Sequence, residues 1–315
     1  MYVISSIAYR FIFLYNIVMK KLIVEEKYNL KSLQNYILKI FPNLSQNLFF
    51  KTLRKKDIKI NGIRVSQNVC IHTGDTIEIY VSDELLLGKQ VSYESLYKNR
   101  VYEDDNIVIL NKPSKIEVLG TDSMTSILQK KFEFIYPCHR LDRNTQGLIL
   151  FAKNKTSLEI LFSKFKQKEI EKHYLAICYH IPKEKQLTLH SFLFKDAKKA
   201  RVYISPVPKK GYMPICTSYS VKHENEKKNI CLLDVQIETG RTHQIRAQLA
   251  DIGLPIIGDE KYGSYEANRL FHQKEQLLWN YSLQFHFSTD AGMLNYLNHK
   301  SFAIPSLLEN IKEKM

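Results

Sequence analysis

Seven consecutive positions, His139 to Thr145, hold His139, Arg140, Asp142, Arg143, Asn144 and Thr145, with Leu141 the one apolar residue among them. The chain then turns apolar at Leu148, Ile149, Leu150, Phe151 and Ala152. Two other stretches have the same build: "EKHYLAI" around Tyr174, and "ETGRTHQIRAQL" around Arg241 and Arg246. Each sets polar groups at the edge of an apolar strand. The charges are complementary, with Asp142 set against Arg140, Arg143, Arg241 and Arg246. A carboxylate close to an arginine stays ionised, because the opposite charge favours the charged form. Such a carboxylate serves as a nucleophile, as a base or as half of a structural ion pair, and spacing alone leaves these open. A polar tip between two strands is the plainer alternative.

Strands are needed to present these residues. From Val101 onward, short apolar runs alternate with turn signals. The run "NIVILNKP" reads as a strand that Pro113 ends. "TSILQKKFEFIYPCHRL" reads as a short helix and a strand leading into the polar turn, and "LILFAKN" as the following strand. In "TSLEILFSKFKQKEIEKHYLAIC", Leu158, Leu161, Phe162 and Phe165 make a core-facing helical stripe that runs into another strand. "NICLLDVQIETGRTHQIRAQLADIGLPIIGDEKYG" reads as a strand, a tight turn at Gly240, a helix and a loop. Strands outnumber helices and turns join them. The expected class is α+β, with a mixed, largely antiparallel sheet. No internal repeat or low-complexity tract interrupts the chain.

The length, 315 residues, suits one large domain, or one large and one small. There are 46 Lys and Arg against 32 Asp and Glu, a net charge of +14 that favours polyanionic partners. An AT-rich genome also produces lysine-rich chains, so charge is not sufficient by itself. The five cysteines, Cys70, Cys138, Cys178, Cys216 and Cys231, form no CxxC pair. That argues against a zinc site and a disulfide framework and suggests a reducing compartment. The opening "MYVISSIAYRFIFLYNIV" is interrupted by Arg10, is too short to span a membrane, and lacks a small-residue cleavage site. We read residues 1–18 as an upstream extension and Met19 as the initiator.

Residues 19–83 are basic, with eleven Lys or Arg against six Asp or Glu. Helical spacing of Leu30, Leu33, Ile37 and Ile40, then of Leu44, Leu48 and Leu53, predicts two helices separated at Pro42, with Ser45 capping the second. Alternating strands follow, with hairpin and turn signals at Asn61-Gly62 and Gly74-Asp75. Lys51, Arg54, Lys55, Lys56, Lys59 and Arg64 cluster at the junction and give a basic edge able to track phosphates. A solvated charged face is the alternative. Residues 84–100 read as a linker.

Two resemblances add to this reading. "SQNLFFKTLRKKDIKINGIRV" with "HTGDTIEIYV" resembles the alpha-L RNA-binding module, departing from it at Asp57, where glycine is usual before the first strand. "HRLDRNTQGLILFAKN" with "GRTHQIRAQLADIGLPIIGDEKYG" resembles the RluA family of RNA pseudouridine synthases over residues 101 to about 287. The resemblance implies the pseudouridine synthase fold for residues 101–310. It also implies isomerisation of uridine in structured RNA, ribosomal RNA in particular, without cofactor or metal. A cytoplasmic monomer with no membrane association completes the expectation.

The matched positions acquire roles through the resemblance. Asp142 falls on the catalytic aspartate, which could attack the sugar, attack the base or take a ribose proton. Arg246 falls on the arginine that orients it, and Tyr174 on the aromatic that lies against the uracil and helps to remove its proton. Arg140 falls on a residue that fills the space left by an extruded base. Arg241 is a second partner for Asp142 or a phosphate ligand, and Arg143 is grouped with the substrate-binding arginines. His139 is expected to be a structural hydrogen-bonder, with Thr145 and Gly147 shaping the turn. Gln146 replaces the usual serine, and Trp279 and Asn280 replace the usual His-Ala pair. A catalytically silent RNA-binding or ribosome-assembly factor is the alternative. A glycosidase on small substrates would need a second carboxylate that no motif supplies.

Overall fold

A computed structural model describes residues 17–42, 44, 46–82 and 91–315. The chain divides into two compact units, residues 1–90 and 91–315.

The first unit is a four-stranded antiparallel sheet and two helices. Its strands are β1 (Ile17–Ile23), β2 (Ile58–Ile60), β3 (Ile63–Arg64) and β4 (Thr76–Ser82), in the order β1-β4-β2-β3. The helices are α1 (Leu33–Ile40), whose N-terminal amides are capped by Ser32, and α2 (Gln46–Arg54). Leu33, Ile37, Phe49 and Leu53 pack on Ile58, Ile77 and Ile79, so the apolar spacing in the sequence becomes a helix-on-sheet core. Asn61 and Gly62 both take positive φ, 51° and 80°, as a two-residue hairpin turn requires. The left-handed position after α2 falls on Lys56 (φ 58°), one residue before Asp57. β1 starts at Ile17, inside the stretch read as an extension; residues 1–16 and the expected cap Ser45 lie outside the described residues.

The second unit is built on an eleven-stranded sheet. Its strands are β5 (Arg100–Glu103), β6 (Ile107–Lys112), β7 (Tyr136–Pro137), β8 (Gln146–Ala152), β9 (Ile170–Tyr179), β10 (Gln186–Asp196), β11 (Arg201–Ser205), β12 (Met213–Asn225), β13 (Ile230–Ile237), β14 (Leu278–Phe285) and β15 (Ser301–Ala303). The order is β11-β10-β12-β13-β9-β14-β8-β6-β5, with β7 against β8 and β15 against β14. Among the described pairs only β14–β8 is parallel, so the sheet is mixed and largely antiparallel. Helices α3 (Tyr93–Tyr97), α4 (Met124–Leu128), α5 (Lys155–Lys166), α6 (Gln244–Asp251), α7 (Tyr265–Leu270) and α8 (Leu307–Lys314) complete the unit.

Both faces of the central strands are covered. Val108, Leu110, Ile149 and Phe151 belong to one core cluster, and Ile107, Ile109, Leu148, Leu150 and Ala152 to another. That is why β6 and β8 read as unbroken apolar runs instead of alternating. On α5, Leu161 is fully buried but Phe162 is exposed, so the stripe is narrower than its spacing implied. Part of the linker reading is corrected. Residues 93–97 form α3, capped by Ser92, and Leu96 is buried in the core of the second unit. Polar neighbours hid a segment anchored by one leucine. At the other end Ile311 and Met315 pack with Leu175, Ile230 and Leu232, carrying this unit past residue 310. Among the described residues no helix is long and apolar enough to cross a membrane.

Candidate active site

The polar turn lies between β7 and β8, and its neighbours fix it from several sides. The His139 Nε2 accepts from the Leu150 amide at 3.1 Å. Burial pushes the His139 pKa down to about 3, so the ring is neutral. Leu141 is buried in the core. Lys112 is fully buried, and its ammonium donates to the carbonyls of Pro113 (2.9 Å), Ile116 (2.8 Å) and Arg143 (2.9 Å). Burial lowers the Lys112 pKa to about 7, against the pull of Asp142. Buried Thr145 accepts from Gln276 Nε2 at 2.8 Å. Gly147 has φ 114°, and a Cβ there would stand 2.2 Å from the Asn280 carbonyl oxygen. The turn is rigid because a lysine, a threonine and a glycine-only contact all hold it.

The Asp142 side chain is 17% exposed, and its Oδ2 accepts from Arg246 Nη1 at 2.9 Å. Arg246 comes from α6 and forks onto a second carboxylate, with Nε to Asp259 Oδ2 at 2.6 Å and Nη2 to Asp259 Oδ1 at 3.0 Å. Two bonds fix the guanidinium plane on Asp259 and leave the third nitrogen aimed at Asp142. Burial works against the Arg246 charge, but Asp259 and then Asp142 outweigh it and hold its pKa above the ordinary value. Burial would likewise raise Asp259; Arg246 and the amides of Tyr262 and Lys261 bring its pKa below normal.

Asp142 is shared by two clefts. One, of about 200 Å³, is lined by His139, Asp142, Lys172, Tyr174, Gly240 and Arg246 among others. The second, of about 390 Å³, has Asp142, Arg143, His243 and Lys261 in its wall. Tyr174 stands on β9 and is 4% exposed. Burial first and Asp142 second raise its pKa above the ordinary tyrosine value, so it presents a neutral phenol to the cleft. His243 begins α6 in the left-handed region (φ 55°), with Nδ1 hydrogen-bonded to Tyr262 Oη at 2.9 Å and Nε2 3.9 Å from Asp142 Oδ2.

A family model described as RNA pseudouridylate synthase matches residues 106–251. An uncharacterized RNA pseudouridine synthase of Mycoplasma capricolum is 30% identical over 301 residues, covering 90% of this chain and 96% of its own. The ribosomal large subunit pseudouridine synthase C of Rickettsia prowazekii is 30% identical over 256 residues, covering 74% of this chain and 82% of its own. The chain belongs to the RluA family of RNA pseudouridine synthases. It is accordingly an isomerase acting on RNA. In fold it is similar to the human protein RNA Pseudouridylate Synthase Domain Containing 4, at TM-score 0.55 and 20% identity, covering 67% of this chain and 89% of that one.

For this RluA-family chain, the sequence brought four arginines into consideration around Asp142, and the structure delivers one. Arg246 pairs with it; Arg140, Arg143 and Arg241 are exposed and make no ion pair among the described residues. Arg143 instead donates from Nε to the Lys115 carbonyl at 3.3 Å. Arg140 and Arg241 still line the smaller cleft with Asp142 and Tyr174. Asn280 is buried, donates to the Leu148 carbonyl at 2.8 Å, and lines neither cleft; nor does Trp279, which packs among Tyr281, Leu277 and Ile257. Their departure from the family pattern therefore bears on strand packing. Asp259, His243 and Lys172 were missed as site residues, although Asp259 sat in the quoted "GDEKYG" and Lys172 two positions before Tyr174. Among the described residues no group of three His, Cys, Asp or Glu is placed to hold a metal ion.

In the first unit Lys51, Arg54, Lys55 and Lys56 are exposed. Lys59 is committed locally, with Nζ 3.1 Å from Tyr80 Oη and 3.7 Å from Glu78. Arg64 is exposed but donates to the Lys56 carbonyl at 2.8 Å, tying β3 to the end of α2.

Proposed function

We propose that the chain isomerises specific uridines in structured RNA, large-subunit ribosomal RNA in particular, and that Asp142 carries the reaction as nucleophile or base. The supporting observation is the Asp142–Arg246–Tyr174 constellation: an arginine-paired carboxylate in a cleft beside a buried phenol. The target uridine leaves its stack at a cost of a few kcal/mol, and exposed Arg140 occupies the space it vacates. The uracil lies on Tyr174, a contact worth about 1–3 kcal/mol in general for base–aromatic stacking. Breaking the N1–C1′ bond builds positive charge on the sugar, which the nearby carboxylate stabilises or captures. The base turns, C5 bonds to C1′, the C5 proton leaves, and N1 takes one up. Asp259 is a positioning residue, acting through Arg246.

The ribosomal substrate is supported by the names of relatives such as the synthase C of Rickettsia prowazekii. The first unit, in this reading, is an RNA-binding module whose exposed Lys51, Arg54, Lys55 and Lys56 take phosphates, with Lys59 and Arg64 beside them. We place the protein in the cytoplasm as a monomer. Against a silent assembly factor stands the presence of Asp142, Arg246 and Tyr174 together on one cleft. Incubation of the purified chain with unmodified ribosomal RNA, followed by pseudouridine mapping, tests the substrate. New pseudouridine at discrete positions is expected; binding without conversion would favour the assembly-factor reading.

A further inference from the structure

We infer that Lys172 is a catalytic residue, its ammonium donating to a carbonyl oxygen of the target uracil as the base detaches. This rests on the reading of Tyr174 as the platform for the base. Two described lysines of the second unit are buried, and both are satisfied, whereas Lys172 on β9 is half-buried. Lys112 has three carbonyl acceptors, and Lys164, 2% exposed, has Glu169 at 2.7 Å and the Thr289 carbonyl and hydroxyl at 2.6 and 2.7 Å. Among the described residues the Lys172 ammonium has neither a hydrogen-bond nor an ion-pair partner. It sits over the Phe165 ring, 5.0 Å from its centroid, and a Cβ on Gly240 would come within 3.9 Å of it. Burial alone lowers its pKa, to about 8, with no carboxylate pulling the other way. A half-buried ammonium facing a cleft without a protein partner is open to an acceptor that a ligand supplies.

The position indicates which acceptor. Lys172 lies two residues before Tyr174 on β9, so both side chains leave the same face, about 6.7 Å apart along the strand. Both line the smaller cleft. A base resting on Tyr174 brings one carbonyl edge toward Lys172. At about 200 Å³, the cleft is smaller than the ≈ 300–1,000 Å³ usual for small-molecule sites, which suits a single base better than a stretch of backbone. The phosphates are left to exposed Arg241 at its rim. The chemistry agrees. When N1–C1′ breaks, the electron pair departs with the uracil and spreads to O2 and O4. Lys172 keeps its proton and stabilises that charge, which is larger in the transition state than in bound uridine.

The test uses whichever RNA the wild-type chain is first seen to modify, so failure of the ribosomal assignment and failure of this one are read separately. Single-turnover rates are measured for wild type, Lys172→Met and Lys172→Arg on RNA carrying uridine, 2-thiouridine or 4-thiouridine at the target. Lys172→Met should lower the rate by about 10²-fold or more. RNA affinity and its salt dependence should stay unchanged, and Lys172→Arg should retain part of the rate. One thio substitution should slow the wild type and leave Lys172→Met no slower than on uridine. Melting temperatures check folding, with Lys172→Gln as the second neutral variant. Three results would each overturn the assignment: a wild-type rate in the neutral variants, thio effects of equal size in wild type and variant, or a salt slope reduced by about one, as loss of a phosphate contact gives.

Discussion

Arg246 serves two carboxylates at once, and the two halves of that arrangement do different work. The Asp259 half is structural: Asp259 is 1% exposed and its charge depends on the guanidinium. Arg246→Ala should therefore cost about 3–5 kcal/mol in urea unfolding, because a buried carboxylate loses its partner. The resemblance to the RluA family singled out Asp142, Arg246 and Tyr174, and the structure pairs the first two and sets the third on the same cleft. Spacing by itself could not choose among four arginines for Asp142, since charge sign carries no distance. It also gave no reason to single out Asp259, whose importance comes from a fork across 13 residues. Lys172 was hidden for a different reason: nothing in "EKHY" says that its ammonium finds no acceptor among the described residues.

The β8–β14 pair is the element on which the site depends. Gly147 and Asn280 lie opposite each other there, at the one parallel junction of the described sheet. Gly147→Ala combines a positive φ with a Cβ 2.2 Å from a carbonyl oxygen, so a loss of several kcal/mol is expected. It should appear as a large fall in melting temperature or as insoluble protein. A second junction joins α5, β9 and the segment after β14 through Glu169. There burial would raise the Glu169 pKa, but Lys164 and the Ser288 hydroxyl and amide bring it down to about 2 from an unperturbed 4.5. A depressed carboxylate stabilises the fold above its unfolded pKa and loses that contribution on acidification. Urea midpoints should fall between about pH 4.5 and pH 2, and Glu169→Gln should flatten that part of the profile. The strand runs were legible because both faces are covered and the residues are uniformly apolar. Helix α3 was not, because five residues carry too little periodicity to register.

At the scale of the molecule, charge and division of labour matter most. The chain carries +14, and the exposed lysines at the end of α2 belong to a unit with its own core. Lys51→Glu with Lys55→Glu should weaken RNA binding, reduce the salt slope by about 2 and leave thermal unfolding within a degree or two. Unaltered affinity would return those lysines to a solvated face. The division at residues 90/91 falls within the stretch 84–100 read as a linker, and the polar residues around α3 obscured where the second unit starts. The proposed chemistry depends on Asp142, and pseudouridine mapping of RNA treated with wild-type or Asp142→Asn protein addresses that dependence directly. The Arg246–Asp259 fork survives that change, so fold and RNA affinity should be retained while conversion falls below detection. Pseudouridine formation by a folded Asp142→Asn protein at a rate near wild type would contradict the account.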